Sequence, residues 1–234
     1  MQRRAVIFDL FGTLIDNFST EEYWRVLQKM ADAVGPPREA FGQSWSTAFD
    51  QRCRAEFGDP EQTVAHFARA VGTTPTPEQI SQAAQIRFAM TQRTLVPRPD
   101  ALATLATLRE LGYRVGLLTD CTGEVPMLWD SSPFAPLIDA PLFSCLAGMK
   151  KPEPQFYLLA CERLGVCPQD CIYVADGSSY ELAGATALGM HPVLISVPYD
   201  RNYNASRQEA AEWQGPTVSC LSEALPLVEA ARRK

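Results

Sequence analysis

The chain has 234 residues, 46% hydrophobic and 21% charged, a globular balance that excludes global disorder and leaves room for one large domain or two smaller ones. Twenty-seven acidic residues against 21 basic ones give a formal net charge of −6. A general nucleic-acid or anionic-membrane binder needs a basic face and is a poor fit.

In chain order, Ala5-Val6-Ile7-Phe8 is a run of β-formers without a polar residue, the pattern of a central strand in a parallel sheet covered on both faces. It ends at Asp9, and Gly12 lets the chain turn. From about Asp16 to Thr94 the pattern is helical, with breaks at Gly35-Pro36-Pro37, Gly58-Asp59-Pro60 and Gly72 to Pro77. Val96-Pro97-Arg98-Pro99 reads as an extended connector. Asp100 is placed to cap a helix with leucines at 102, 105, 108 and 111 that Gly112 stops. A strand is expected at Arg114 to Leu118, another near Leu142 to Cys145, then a helix from about Glu153 to Leu164. Cys171 to Val174 predicts a strand, Glu181 to Leu188 a helix and Val193 to Ile195 a strand. Thr217 to Cys220 predicts an edge strand before a last helix, and 199–215 reads as a long polar loop with a helical turn.

Alternating strands and helices indicate an α/β fold, a doubly wound parallel sheet of Rossmann-like type. The first strand must join that sheet. The expected organisation is a core of residues 1–15 and 96–234 with a helical domain, residues 16–95, inserted between them. No apolar run is long enough to span a bilayer. Met1 to Arg4 leads into the first strand without the pattern of a secretory signal, so the expectation is a cytoplasmic protein with no membrane partner.

Seven cysteines occur without a Cys-x-x-Cys pair, and the two histidines, His66 and His191, lack the company of a catalytic base or a metal site. Chemistry must therefore run on carboxylates, hydroxyls and lysine. In doubly wound sheets ligands sit beyond the carboxyl ends of the strands. There the sequence places Asp9, Thr119 and Asp176, with Lys151 a short loop beyond a fourth strand. Singly, each has a duller reading as a turn former, a cap or a solvated charge. Together on one edge they make a site.

Four stretches carry a resemblance. Asp9-Leu10-Phe11-Gly12-Thr13-Leu14 resembles the first motif of the haloacid dehalogenase-like hydrolases, and Thr119 after Val115 to Leu118 resembles the second. Lys151-Pro152-Glu153-Pro154 is similar to the third, and Val174-Ala175-Asp176-Gly177-Ser178 with Glu181 to the fourth. The resemblance implies that Asp9 is the nucleophile, forming an acyl intermediate that water hydrolyses. It implies charge compensation by Lys151 and by Mg2+, the metal held by the Asp9 side chain, the Phe11 backbone carbonyl and Asp176, with Glu181 acting through water. Thr119 would hydrogen-bond a phosphoryl oxygen, helped by backbone N–H groups of the turn at Gly12 and Thr13.

The chain departs from the family's phosphatases at Phe11, where they usually carry the aspartate that protonates the leaving group. Positioned acid–base catalysis typically contributes about 10²–10⁴-fold in rate. Three explanations stay open: a good leaving group such as an aryl or acyl phosphate, a substitute acid with Asp120 nearest, or displacement at carbon. The family's dehalogenases often have an aromatic residue at this position, need no acid and use no metal. Asp176 would then lack a partner charge beside Asp9, which favours the magnesium enzyme. The expected function is thus hydrolysis of a small phosphorylated metabolite. The rivals are a 2-haloacid dehalogenase and a non-catalytic binder of phosphate or a metabolite.

The segment 16–95 matches the family's cap, which excludes water and sets substrate choice, with hinges near Leu14 to Asp16 and Thr94 to Pro99. Arg52 and Arg54, in the loop-like stretch Gln51 to Asp59, are candidates to reach an anionic group on the substrate. Two solvated arginines are the alternative. Trp24, Phe41, Trp45 and Phe49 are expected in the cap's core. The partner is a small anionic molecule, and monomer and homodimer stay open.

Overall fold

The computed structural model describes residues 5–198 and 207–231. Six parallel strands form one sheet: β1 (Ala5–Phe8), β2 (Arg114–Thr119), β3 (Ala140–Phe143), β4 (Cys171–Ala175), β5 (His191–Ile195) and β6 (Thr217–Val218). Their spatial order is β3-β2-β1-β4-β5-β6. The chain runs outward from β1 to β3, then crosses to β4 and runs outward on the other side. The order therefore reverses beside β1, at the switch point where such sheets bind ligands.

Every residue of β1 is buried, and its side chains serve two cores in alternation. Val6 and Phe8 pack with Leu105 and Leu108 of α6 (Ala101–Glu110), with Trp129 of α7 (Glu124–Trp129) and with Val228 of α12 (Ala224–Ala231). Ala5 and Ile7 pack on the other face with Phe156 and Leu164 of α9 (Pro154–Leu164) and with Leu182 of α10 (Glu181–Ala187). A strand covered on both faces has no use for a polar position, hence the uninterrupted run.

Between β1 and α6 lie α1 (Thr20–Val34), α2 (Arg38–Thr47), α3 (Phe49–Cys53), α4 (Pro60–Ala70) and α5 (Pro77–Thr94). They share a third core that includes Leu27, Met30, Phe41, Trp45, Phe67 and Met90. Local chemistry fixes their starts. Asp59 and Thr76 each form a capping box, with Gln62 and Gln79 respectively, and each is followed by a proline at the first helical position.

The two connections to this helical layer run side by side. Ile15 bridges Phe11 and Pro97, and the Arg98 amide donates to the Leu14 carbonyl at 2.9 Å. The buried Arg98 side chain donates from Nη2 to the Gly12 carbonyl at 2.8 Å and lies 3.3 Å from the Asp16 carboxylate. A single arginine thus clamps both crossings to the turn after β1.

Several expectations need correction. Asp100 precedes α6 but gives it no side-chain cap; its carboxylate accepts instead from the Ser222 amide at 2.8 Å, because the chain end after β6 packs there. The strand expected to reach Cys145 stops at Phe143, and Ser144 opens the one-turn helix α8 (Ser144–Ala147). Arg52 lies in a helix, α3, and only the residues after Cys53 form a turn. Of the expected polar loop, 199–206 lie outside the described residues, and the rest contains α11 (Gln208–Glu212). Trp24 and Phe49 are partly exposed, unlike Phe41 and Trp45. Among the described residues, no helix is long and apolar enough to cross a membrane.

Replacing Arg98 by alanine removes the charged hydrogen bond to Gly12 and strands a buried carbonyl. The expected cost is about 1.5–3 kcal/mol, or roughly 3–12 °C in the thermal midpoint of a chain this size. A melt followed by circular dichroism checks it, and an unchanged midpoint would show that Arg98 is not the clamp.

Candidate active site

Asp9 is the first residue beyond β1, and its amide donates to the Val174 carbonyl of β4 at 3.0 Å, extending the ladder by one step. That bond fixes the side chain at the edge where β1 meets β4. One carboxylate oxygen accepts from Thr13 Oγ1 at 3.2 Å and the other from Lys151 Nζ at 2.6 Å. Lys151 also donates to Glu181 Oε2 at 2.6 Å, so one ammonium bridges two carboxylates from distant parts of the chain.

Glu181 is fully enclosed. Tyr173 Oη donates to Oε2 at 2.8 Å, and the amides of Gly177 and Ser178 donate to Oε1 at 3.1 Å each. The turn that makes this possible is strained: φ is +83° at Gly177, +56° at Ser179 and +53° at Tyr180. Left-handed residues other than glycine typically cost about 1–3 kcal/mol each and persist where surrounding structure over-determines them. Here the turn folds Glu181 back under β4 towards Asp9, while Ser178, Ser179 and Tyr180 line the cavity.

Asp176, buried just past β4, accepts from the Ser178 amide at 3.0 Å, from Arg207 Nε at 2.7 Å and from Asn17 Nδ2 at 3.4 Å. This corrects one expectation. Asp176 is not without a partner charge, because Arg207, 31 residues further on, supplies one.

Oxygens of Asp9, Asp176 and Glu181 lie within 4.8 Å of one another, all on buried residues. Three carboxyl groups face two cations, Lys151 and Arg207, and burial raises the Glu181 carboxyl well above the usual carboxylate range, with Lys151 opposing the rise and Asp9 and Asp176 adding to it. Burial pushes the Asp9 carboxyl up to about 6, with Lys151 opposing the rise and Asp176 adding to it. Burial works against the charged form of Lys151, yet Asp9 and Glu181 hold its pKa well above the usual range. The lysine is therefore a fixed cation.

The other sequence-predicted residues divide. Thr119 ends β2 with a fully buried hydroxyl that has no protein hydrogen-bond partner. Asp120 lines the cavity; Oδ1 accepts from the Lys151 amide at 3.0 Å, Oδ2 has no partner, and burial raises its pKa. Gly12 does not line the cavity but packs against its acidic group: it has φ +81°, and a Cβ there would sit 2.1 Å from Asp176 Oδ2.

Neither Arg52 nor Arg54 lines the cavity. Arg52 is buried, with Nε donating to the Trp45 carbonyl at 3.1 Å and Nη2 to Tyr23 Oη at 3.3 Å. Arg54 pairs with Glu153 and donates to the Gly148 carbonyl at 3.2 Å, tying the helical layer to the loops around α8.

The cavity has a volume of about 520 Å³, within the usual range for small-molecule sites. Asp9, Asp120 and Lys151 lie on its core side, and Phe18, Tyr23, Phe49, Arg87 and Thr91 on the helical side. Phe11 meets Phe18 edge-on at 6.1 Å, and Phe18 stacks on Tyr23 at 5.3 Å, giving an aromatic wall. Cys121 also lines the cavity, its Sγ 3.9 Å from Cys145 Sγ, with no disulfide.

Sequence reading missed Asn17, Tyr23, Arg87, Arg98 and Arg207. One of them carried a signal: Arg87 falls on the buried stripe Ala83, Ala84, Met90 and Thr91 of α5, a charge on an otherwise inward face.

The haloacid dehalogenase-like hydrolase family model matches residues 3–189. The chain is 29% identical over 235 residues to (S)-2-haloacid dehalogenase 4A of Burkholderia cepacia, covering 96% of this chain and 94% of that protein. It is 30% identical over 197 residues to a glyceraldehyde 3-phosphate phosphatase of Methanopyrus kandleri, covering 83% of this chain and 74% of that protein. The crystal structure of a 2-haloacid dehalogenase from Pseudomonas syringae superposes with a TM-score of 0.71 over all of both chains at 22% identity, a likeness of fold.

Gly12→Ala combines a left-handed backbone with a clash against Asp176. The expected loss exceeds about 1 kcal/mol, and urea unfolding read by fluorescence measures it; a stability equal to wild type would mean that the turn relaxes freely.

Proposed function

The chain belongs to the haloacid dehalogenase-like hydrolase family, and from that membership we propose a magnesium-dependent phosphatase acting on a small phosphorylated metabolite through an aspartyl-phosphate on Asp9. The observation that carries the reading is the buried group of Asp9, Asp176 and Glu181 around one lysine. An all-oxygen donor set of three carboxyl groups suits a hard divalent cation. Mg2+ would be held by Asp9, the Phe11 carbonyl and Asp176, with Glu181 acting through water. Bound there, it would supply positive charge against the phosphoryl oxygens. Arg207 would have to yield its place on Asp176.

The chain's own residues do the rest. The Asp9 carboxylate attacks phosphorus, the P–O bond to the leaving group breaks, and water later cleaves the aspartyl-phosphate to return Asp9 and release phosphate. Lys151 neutralises charge beside Asp9, and the Thr119 hydroxyl donates to a phosphoryl oxygen. Phe11 has no proton to give. Asp120, whose carboxyl pKa burial raises and whose Oδ2 faces no protein partner, is the residue to protonate a poor leaving group. Residues 16–95 act as a cap that excludes water, over a core of 1–15 and 96–234.

Two observations favour a second reading. Phe11 dispenses with the acid and Arg207 already compensates Asp176, which suits a metal-free 2-haloacid dehalogenase with an ester intermediate on Asp9. Assays of an aryl phosphate with magnesium or EDTA, and of a 2-haloacid with EDTA, separate the two. Phosphate release that needs the metal and falls at least about 10³-fold in Asp9→Asn is the expected outcome. Halide release in EDTA would replace it with the dehalogenase, and neither product would leave a binding-only protein.

A further inference from the structure

Arg87 sits where an arginine is hardest to keep. Its neighbours on the inward stripe of α5 are Ala83, Ala84, Met90 and Thr91, and the residue is 7% exposed while lining the cavity. Its guanidinium is poorly served. Nη1 donates to Met90 Sδ at 3.1 Å, a weak acceptor, and Nε has no hydrogen-bond partner, with the nearest carboxylate oxygen, on Glu124, at 3.6 Å. The charge lies 5.5 Å from the Tyr23 ring centre, and the Tyr23 hydroxyl accepts from a second buried arginine, Arg52. Arg52 Nη1 likewise has no partner.

Glu124 is the counter-charge in reach, and it is already hydrogen-bonded by the Thr122 hydroxyl. Two buried guanidiniums thus share one buried carboxylate, which lies 3.6 Å from Arg87 and leaves its Nε without a hydrogen bond. Unpaired buried charge and orphaned donors are costly unless something completes them. A planar guanidinium donor edge is completed best by two oxygens of a carboxylate or phosphate.

We propose that Arg87, backed by Tyr23 and Arg52, forms an oxyanion subsite in the cap side of the cavity, so that the substrate carries a second anionic group besides the one that meets Asp9. The aromatic wall of Phe11, Phe18 and Tyr23 sets the chemistry between the two groups: a short apolar or ring-bearing spacer. The substrate class is a phosphomonoester with a second carboxylate or phosphate. This rests on the phosphatase reading for its first anion, while the second anion stands on Arg87 alone. Arg52 is a positioning residue, holding the Tyr23 hydroxyl from outside the cavity.

The test compares phenyl phosphate with 3-carboxyphenyl phosphate, which have similar leaving groups, in wild type, Arg87→Gln and Arg87→Lys. A charge-assisted hydrogen bond predicts a wild-type kcat/KM at least about 10-fold higher for the carboxylated ester, carried by KM rather than kcat. That ratio falls to about one in Arg87→Gln and stays intermediate in Arg87→Lys, which keeps the charge and loses the fork. Equal kcat/KM in wild type, or a preference that survives in Arg87→Gln, would overturn the subsite. If Arg87→Gln does not fold, the wild-type ratio and the lysine variant decide. If neither ester is turned over, the phosphatase reading fails separately, and calorimetric titration with benzoate decides. Binding to wild type that Arg87→Gln loses upholds the subsite, and no binding to wild type removes it.

Discussion

Lys151 holds together a set of charges that could not otherwise be buried. Its ammonium lies 2.6 Å from both Asp9 and Glu181, and with Asp176 these make three carboxylates at one sheet edge. Burial raises the carboxyls of Asp9 and Glu181, and Lys151 is the charge that opposes the rise in both. Much of the surrounding structure reads as support for that arrangement. The Asp9 amide joins the ladder through Val174, Tyr173 and two turn amides saturate Glu181, and Asp120 grips the Lys151 backbone. The left-handed turn at Gly177 to Tyr180 belongs to the same set, since a relaxed turn would point Glu181 away from the lysine.

Chemistry and selection are divided between layers. The sheet edge supplies Asp9, Lys151 and Thr119, whereas the wall and far side of the cavity come largely from α1 and α5, through Tyr23, Arg87 and Thr91, with Phe18 just before α1. Phe11 belongs to both, as the residue two past Asp9 and as the first ring of the aromatic wall. An aspartate at that point would place a charge among aromatic rings. Phe11 keeps that wall apolar and has no proton to give. Both phosphatases and dehalogenases stand among the similar proteins. Positions 11, 120, 176 and 207 are where the proposed phosphatase and dehalogenase readings of this chain diverge.

The parallel sheet and the helical insertion were legible because each rests on local rules. Apolar runs with no polar residue mark strands covered on both faces, and Gly-Pro clusters mark the breaks between α1, α2, α4 and α5. Asp9, Thr119, Lys151 and Asp176 were legible for a related reason, since a polar residue at a strand's carboxyl end has a known place in this topology. Asp100 misled because the cap rule sees only the next turn, and its carboxylate was taken by Ser222 from the other end of the chain. Arg52 misled likewise: an arginine in a loop-like stretch reads as free to reach a substrate anion or to lie in solvent, but Trp45, Phe49 and Tyr23 enclose its guanidinium.

The sequence by itself determined the fold class, the chain order of the main strands and of the longer helices, though not α7 and α8, and which carboxylates and lysine lie at the sheet edge. Periodicity, glycine turns and strand termini are properties of consecutive residues. Only the tertiary structure decided that Arg207 neutralises Asp176, that Arg98 clamps the two crossings, and that Arg87 rather than Arg52 or Arg54 faces the cavity. These are pairings of groups far apart along the chain. A long, flexible arginine side chain takes whichever acceptor the packing leaves within reach, and no local pattern carries that information.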